Sequence, residues 1–375
     1  MSRLKIIRSR HPACVPVLTP GREEYRLYTE GDELYADMMA SLAQARRSIK
    51  MESYIFAPDE IGWQFAEMLA ARAKDGIEVF LHIDAAGSLY WSSRKLGRYL
   101  RKRHVKLRWF HRWNWRTPMK YYNRRNHRKL LIVDGQQVYL GGFNIQRECS
   151  RAIYGEQRWR DTHVRLSGDL ATEAEALFDK FWRGKRQWVA HSTDNISILM
   201  PNHNRSCRIN IRCLYMDIFR RARKTLYVTT PYFVPDRRTQ QVMKDAAARG
   251  IDVRLLVPRK SDVWLTQWAA QAAYAVLLDS GVRIYEYLPR VIHAKTAVAD
   301  GEWCTIGTAN LDYRSFFLNY EINLVSREID LCHDLHELFC RDLEEAMEVS
   351  PAQWAQRHWS QRILESVGWM ARHWL

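Results

Sequence analysis

Apolar residues recur along the chain first at helical spacing and then at strand spacing, and the alternation is then repeated. From Asp32 to Ser48 they fall on one side of a helical wheel, predicting an amphipathic helix that opens on an aspartate cap. Ile49 to Phe56 reads as a strand, ended by Pro58 and Asp59. Gly62 to Lys74 predicts a second helix, closed by Gly76, and Ile77 to Asp84 a second strand. Alternating β and α elements argue for an α/β layer fold. Residues 1–26 are basic and irregular, with Pro12, Pro16 and Pro20, and form a lead-in.

The same order returns in the second half. Ala45-Arg-Arg-Ser-Ile-Lys-Met-Glu-Ser-Tyr-Ile-Phe-Ala-Pro-Asp59 aligns with Ala222-Arg-Lys-Thr-Leu-Tyr-Val-Thr-Thr-Pro-Tyr-Phe-Val-Pro-Asp236, and Gly76-Ile-Glu-Val with Gly250-Ile-Asp-Val. A repeat of this length predicts two similar domains, residues 27–190 and 206–345, joined by a linker at 191–205. Packed about a pseudo-twofold axis, they would bring the same edge of each half together. Residues 346–375 form a Trp/Arg-rich helical segment carrying Trp354, Trp359, Trp369 and Trp374 beside Arg357, Arg362 and Arg372. It suits a helix lying on a membrane or one capping the core.

Charge narrows the partners. Lys and Arg number 58 against 42 acids, a net +16, which implies an anionic partner such as nucleic acid, an acidic lipid surface or a phosphorylated substrate. From Arg101 to Lys129 there are twelve Lys/Arg and no acid, with Trp109, Phe110, Trp113, Trp115, Tyr121 and Tyr122 among them. Interleaved rings and cations suit a membrane interface, and also single-stranded nucleic acid. No apolar run reaches the ~18 residues of a membrane-spanning helix. The start is too polar for a secretory signal, and the seven cysteines are scattered with no C-x-x-C pair. A reducing cytoplasm is therefore expected, with neither a disulfide framework nor a zinc site.

The chemistry sits in a five-residue pattern, H-x-K-x4-D-x6-G-x2-N, that occurs twice. His127, Lys129, Asp134, Gly141 and Asn144 return as His293, Lys295, Asp300, Gly307 and Asn310, each offset by 166 positions. The candidate catalytic set is His127, Lys129, Asp134, His293, Lys295 and Asp300. Within it, Asp134 and Asp300 precede Gly135 and Gly301, a strong turn signal, and are read as turn or ion-pair residues. Asn144 and Asn310 are expected to bind phosphate. Two histidines, two lysines and two asparagines about one point make an anion site with acid/base capacity, no metal and no cofactor. A phosphodiester fits it. One neutral imidazole attacks phosphorus, the other protonates the leaving oxygen and later deprotonates the acceptor, and the lysines and asparagines stabilise charge on the nonbridging oxygens. Each ring also needs its far nitrogen fixed by a carboxylate. Asp161 is expected to orient His127 and Glu321 to orient His293; His82 and His163 are read as packing or surface residues.

These paired motifs resemble the phospholipase D superfamily, and within it the bacterial cardiolipin synthases of the shorter type, without N-terminal membrane spans. The resemblance covers roughly residues 28–345 and is most specific at Gly307-Thr-Ala-Asn-Leu-Asp-Tyr-Arg-Ser-Phe-Phe-Leu-Asn-Tyr-Glu321. It implies two phospholipase D-like domains, each a mixed β-sheet flanked by helices, with one active site at their interface. It also implies phosphatidyl transfer between two phosphatidylglycerol molecules through a phosphohistidine, releasing glycerol, by an enzyme peripheral on the cytoplasmic face of the inner membrane. His127 is the nucleophile that the resemblance favours. The residue after the motif glycine is often Ser in that family; here Thr308 keeps a hydroxyl whereas Gly142 offers only backbone. A hydrolase of lipid or nucleic acid using the same site, and a nucleic-acid-binding module without catalysis, are the competing readings.

Overall fold

The computed structural model describes residues 18–112, 123–185, 195–202, 210–261 and 263–371. The first half contributes strands β1 (Tyr25–Tyr28), β2 (Ser48–Ser53), β3 (Glu78–Asp84), β4 (Lys106–Phe110), β5 (Leu130–Val133), β6 (Gln137–Gly141) and β7 (His163–Ser167). Its helices are α1 (Gly31–Gln44), α2 (Glu60–Lys74), α3 (Arg94–Arg101), α4 (Arg151–Tyr154) and α5 (Asp169–Trp182). The second half contributes β8 (Ser197–Asn202), β9 (Thr225–Thr229), β10 (Phe233–Val234), β11 (Asp252–Pro258), β12 (Arg283–Tyr287), β13 (Thr296–Ala299), β14 (Trp303–Gly307), β15 (Leu311–Asp312), β16 (Glu321–Ser326) and β17 (Ala346–Glu348). Between and after them lie α6 (Asn210–Arg221), α7 (Arg237–Ala248), α8 (Trp264–Leu278), α9 (Tyr313–Phe317), α10 (Ile329–Glu344), α11 (Pro351–Ala355) and α12 (Trp359–Ala371).

The repeat in the sequence is a repeat in topology. The first sheet runs β1-β7-β6-β5-β2-β3-β4 and the second β8-β16-β14-β13-β9-β11-β12, extended at one edge by β17. In both, the strands that follow helices pair in parallel, and the hairpin carrying the motif pairs antiparallel to the first of them. Each sheet buries one face under its own helices, around Ile49, Phe65 and Leu81 in one half and Val228, Leu255 and Tyr274 in the other. The remaining faces share a third core in which Leu130, Val138 and Leu166 meet Ile306, Leu324 and Leu335. β5 shows how this arises from sequence: in Leu-Leu-Ile-Val every residue is buried, with Leu131 and Val133 turned to the outer core and Leu130 and Ile132 to the shared one. The apolar seam fixes the halves against one another.

Several boundaries differ from the sequence reading. The first helix stops at Gln44 instead of Ser48, and its N-cap is Glu30, without a side-chain cap. Asp32 accepts instead from the Ala152 amide at 3.0 Å. The early stop has a distinct cause: the amides of Arg46, Arg47 and Ser48 donate to the Asp134 carboxylate at 2.7–2.9 Å, pulling them out of the helix. Ser197–Asn202, inside the expected linker, is a strand of the second sheet, and Ala346–Glu348 is another, paired with β12. Of the aromatic basic run, Phe110 is buried against Phe181 and Tyr320 and Trp109 packs on Tyr90, while Trp113, Trp115, Tyr121 and Tyr122 lie outside the described residues. Cys149, Cys304, Cys332 and Cys340 are free.

Candidate active site

Both motifs sit at one edge of their sheets. β2 and β3 end at this edge and β5 begins there, because β5 runs antiparallel to β2; β9, β11 and β13 repeat the arrangement. His127 and Lys129 lie in the extended segment just before β5, and His293 and Lys295 just before β13. The last residue of β3, Asp84, clamps this segment by accepting from the Asn126 amide at 2.8 Å and from the buried Arg125 guanidinium at 2.7 Å.

The two segments are stitched across the seam by backbone. The His127 amide donates to the Tyr320 carbonyl at 2.9 Å, and the His293 amide to the Arg160 carbonyl at 2.6 Å. Each histidine is thus tied to the residue immediately before the other half's carboxylate. His127 Nδ1 lies 2.9 Å from Glu321 Oε2, and His293 Nδ1 lies 2.6 Å from Asp161 Oδ2. The expected assignment of Asp161 to His127 and Glu321 to His293 is therefore corrected: both dyads form, but crosswise. Within one half, the segments leading into β5 and β7 are separated by β6, about 10 Å at ordinary strand spacing. The pseudo-twofold closes that gap by bringing the other half's carboxylate in.

With Nδ1 against a carboxylate, each ring is left with Nε2 for chemistry; Lys295 Nζ also stands 2.8 Å from His293 Nδ1. The histidines, Lys129, Lys295, Asp161 and Glu321 are all nearly fully buried. Lys129 Nζ donates to its own histidine's carbonyl at 2.9 Å, Lys295 does likewise, and Lys295 stands 4.0 Å from Asp161. Loss of hydration lowers the pKa of His127, with Glu321 acting in the opposite direction. Burial, with Lys295 adding to it, lowers His293 to about 4. Burial and then repulsion by Lys295 bring Lys129 down to about 7. Desolvation works against ionisation of Asp161, but Lys295 and His293 outweigh it and hold the carboxylate below its usual range. Such a cluster awaits an anion: a phosphodiester would supply the negative charge that keeps the cations protonated.

The remaining motif residues divide. Asp134 and Asp300 stand at the far ends of β5 and β13, seven residues from their histidines and roughly 20 Å away at the rise of extended chain. They lie outside the reacting centre and fall out of the catalytic set. Both adopt positive φ, 54° and 57°, followed by glycines at 67°, the signature of a I′ turn. Each binds three successive amides at the start of the strand beside it, Arg46–Ser48 in one half and Arg223–Thr225 in the other. Asp134→Ala should therefore lower stability by about 2–3 kcal/mol, from lost amide hydrogen bonds and a strained alanine at positive φ. Equilibrium urea unfolding checks this, and an unchanged midpoint would refute the anchoring role.

Asn144 and Asn310 are buried and not equivalent. Asn144 Oδ1 accepts from the Ile55 amide at 3.2 Å, leaving its amino group for a ligand, whereas Asn310 Nδ2 donates to Asp312 at 3.2 Å. Thr308 does not turn its hydroxyl to the common space; it donates to Glu321 Oε2 at 2.6 Å and accepts from the Ile322 amide. At the equivalent position a Cβ on Gly142 would stand 2.0 Å from Asp161 Oδ1, so the missing side chain makes room for the carboxylate. Tyr54 stands edge-on to His127 and Trp159 lies tilted against His293, with ring centroids 4.8 and 4.9 Å away. Neither ring was singled out in the sequence, although Trp159 stands two residues before Asp161. His163 is buried with no hydrogen-bond partner at either nitrogen, and burial lowers its pKa to about 3, so it packs as a neutral ring. Among the described residues no group of three or more His, Cys, Asp or Glu side chains is placed to hold a metal ion.

Two copies of one α/β half, sharing a buried pair of crossed histidine–carboxylate dyads with a lysine beside each, define a phospholipase D-like protein. The chain belongs to the family described as "Cardiolipin synthase, PLD-like domain", which matches residues 38–182 and 215–343. It is 30% identical over 92% of its length to the probable cardiolipin synthase YwiE of Bacillus subtilis, covering 71% of that protein. It is 33% identical, again over 92% of its length, to a cardiolipin synthase of Clostridium perfringens, covering 76% of it. The fold also matches the crystal structure of phosphatidylserine synthase from Haemophilus influenzae, with a TM-score of 0.71, 13% identity, and 96% and 97% of the two chains covered.

The depressed Lys129 gives a pH prediction. A lysine lowered to about 7 carries its charge below that pH and loses it above. Since kcat/KM reports the free protein, it should fall as pH rises through about 7, while kcat at saturating substrate holds further into the alkaline range. A kcat/KM flat from pH 6 to 9 would exclude a required Lys129 cation.

Proposed function

We propose that the protein is a cardiolipin synthase, transferring a phosphatidyl group from one phosphatidylglycerol to another through a phosphohistidine. The observation that carries this reading is the crossed pair of dyads: two buried histidines, each with Nδ1 on the other half's carboxylate and a buried lysine two residues on. One Nε2 attacks phosphorus and forms the P–N bond as the P–O bond to glycerol breaks. The departing glycerol oxygen takes its proton from the second imidazolium. That ring, now neutral, removes the proton from the glycerol hydroxyl of the second lipid, whose oxygen attacks phosphorus and breaks the P–N bond. Lys129, Lys295 and Asn144 stabilise the nonbridging oxygens. No cofactor enters this route, and the enzyme works on an anionic phospholipid membrane from its cytoplasmic face. Among the described residues no helix is long and apolar enough to cross a membrane, which suits peripheral attachment.

Purified protein incubated with phosphatidylglycerol vesicles, with and without phosphatidylethanolamine, should form cardiolipin and free glycerol, and should do so in EDTA. Phosphatidic acid as the sole product would make it a hydrolase, and plasmid nicking without lipid turnover a nuclease.

A further inference from the structure

The edge that carries the histidines also carries two apolar projections, one from each half and at equivalent points. β3 and β11 both end there, in the parallel strand next to the one preceding the motif hairpin. The loop after β3 exposes Leu89 and Trp91, at 69% and 68% of full accessibility, and Leu89 is held at φ 44°. This loop is fastened to the site: Ser88 Oγ donates to the Tyr54 carbonyl at 2.9 Å, and Tyr54 is the ring against His127. The connection after β11 exposes Val263 and Trp264, at 38% and 61%. α8, which Trp264 opens, packs against β10, the strand following the Tyr232 that faces His293.

Bare tryptophan and leucine at a rim have one energetic use, to be buried against something else. Charge says what. From Ala85 to Arg112 there are nine Lys/Arg and no acid, with Arg94, Lys95 and Arg98 exposed behind Trp91; Arg259 and Lys260 are exposed shortly before Val263, with the one acid Asp262 between them in the sequence. Rings and aliphatic tips ahead of a belt of cations match a bilayer with anionic headgroups, where the tips enter the acyl boundary and the cations meet phosphate.

We propose that Leu89–Trp91 and Val263–Trp264 are a paired anchor that seats the active-site edge on an anionic lipid bilayer, straddling the entrance through which a lipid headgroup reaches the histidines. This rests on the phospholipid-transfer reading above. It makes attachment two-footed, so that the seam, and not either half alone, faces the membrane.

The test compares the whole chain with L89S/W91S and V263S/W264S. Binding to phosphatidylglycerol/phosphatidylethanolamine vesicles is read by flotation, and turnover is read separately on short-chain phosphatidylglycerol below its micelle concentration. Each pair should weaken vesicle binding by tenfold or more, while turnover of the monomeric lipid stays within twofold. Wild-type vesicle binding by both variants overturns the proposal. So does a loss of monomer turnover equal to the loss of vesicle turnover, a loss of single-stranded DNA binding alone, or a loss of self-association alone. Absence of turnover by the wild type on either lipid form would count against phospholipid transfer, while flotation would still read the anchor.

Discussion

Substituting His127 or His293 by alanine is expected to lower kcat for phosphatidyl transfer by roughly ten-thousand-fold or more, with vesicle binding unchanged. Each ring performs a step the other cannot duplicate once its partner is gone, so the double variant should be scarcely worse than either single one. The single variants are nevertheless distinguishable. A phosphodiester with a nitrophenolate leaving group needs little protonation as it departs. The variant lacking the acid histidine should still release about one equivalent of nitrophenolate and then stall as a phosphohistidine, whereas the variant lacking the nucleophile should release none. The geometry leaves the roles of the two rings open, since each has Nδ1 on a carboxylate and Nε2 free. A burst from both variants, or near-full activity in either, would end the two-histidine mechanism.

How much of this was legible in the sequence differs by residue. The α/β alternation and the repeated order of elements follow from local patterns, and the two sheets reproduce them over seven strands, the second adding β17. The turn role of Asp134 and Asp300 was readable because Asp-Gly encodes its own backbone geometry. Pro58-Asp59, a strand end in the sequence, is also a cap: Asp59 accepts from Gly62, and the aligned Asp236 before α7 accepts from Thr239. What could not be read is whatever the seam decides. Spacing located Asp161 and Glu321 as carboxylates at matching places, but which histidine each serves depends on strands of different halves meeting, and no local periodicity carries that. Thr308 shows the same limit on a smaller scale. In the sequence it is only a hydroxyl one residue after a motif glycine, and the fold reveals that the hydroxyl is spent on Glu321.

The crossing itself has a kinetic consequence. Asp161→Asn should lower kcat by roughly a thousand- to ten-thousand-fold, and Glu321→Gln by roughly a hundred-fold. The difference lies in what holds each carboxylate. Asp161 Oδ1 accepts from the Thr162 amide at 2.7 Å, so in the asparagine variant the carbonyl oxygen must stay there and the amino group must turn to His293. Nδ1 then has to accept, its proton moves to Nε2, and the Nε2 lone pair, needed for attack or for proton removal, is lost. Glu321 is held by the Thr308 hydroxyl, which can donate or accept, and by the Asn319 amino group at 3.4 Å, which asks for an oxygen at Oε1, itself 3.1 Å from His127 Nδ1. Glutamine can keep an oxygen toward His127, preserve the tautomer and lose only the charge that steadies the imidazolium. Each carboxylate variant should also inherit the nitrophenyl-ester behaviour of the histidine across the seam, Glu321→Gln with that of His127→Ala and Asp161→Asn with that of His293→Ala. The reverse correspondence, Asp161→Asn behaving as His127→Ala, would show that the dyads form within each half and would overturn the crossed site.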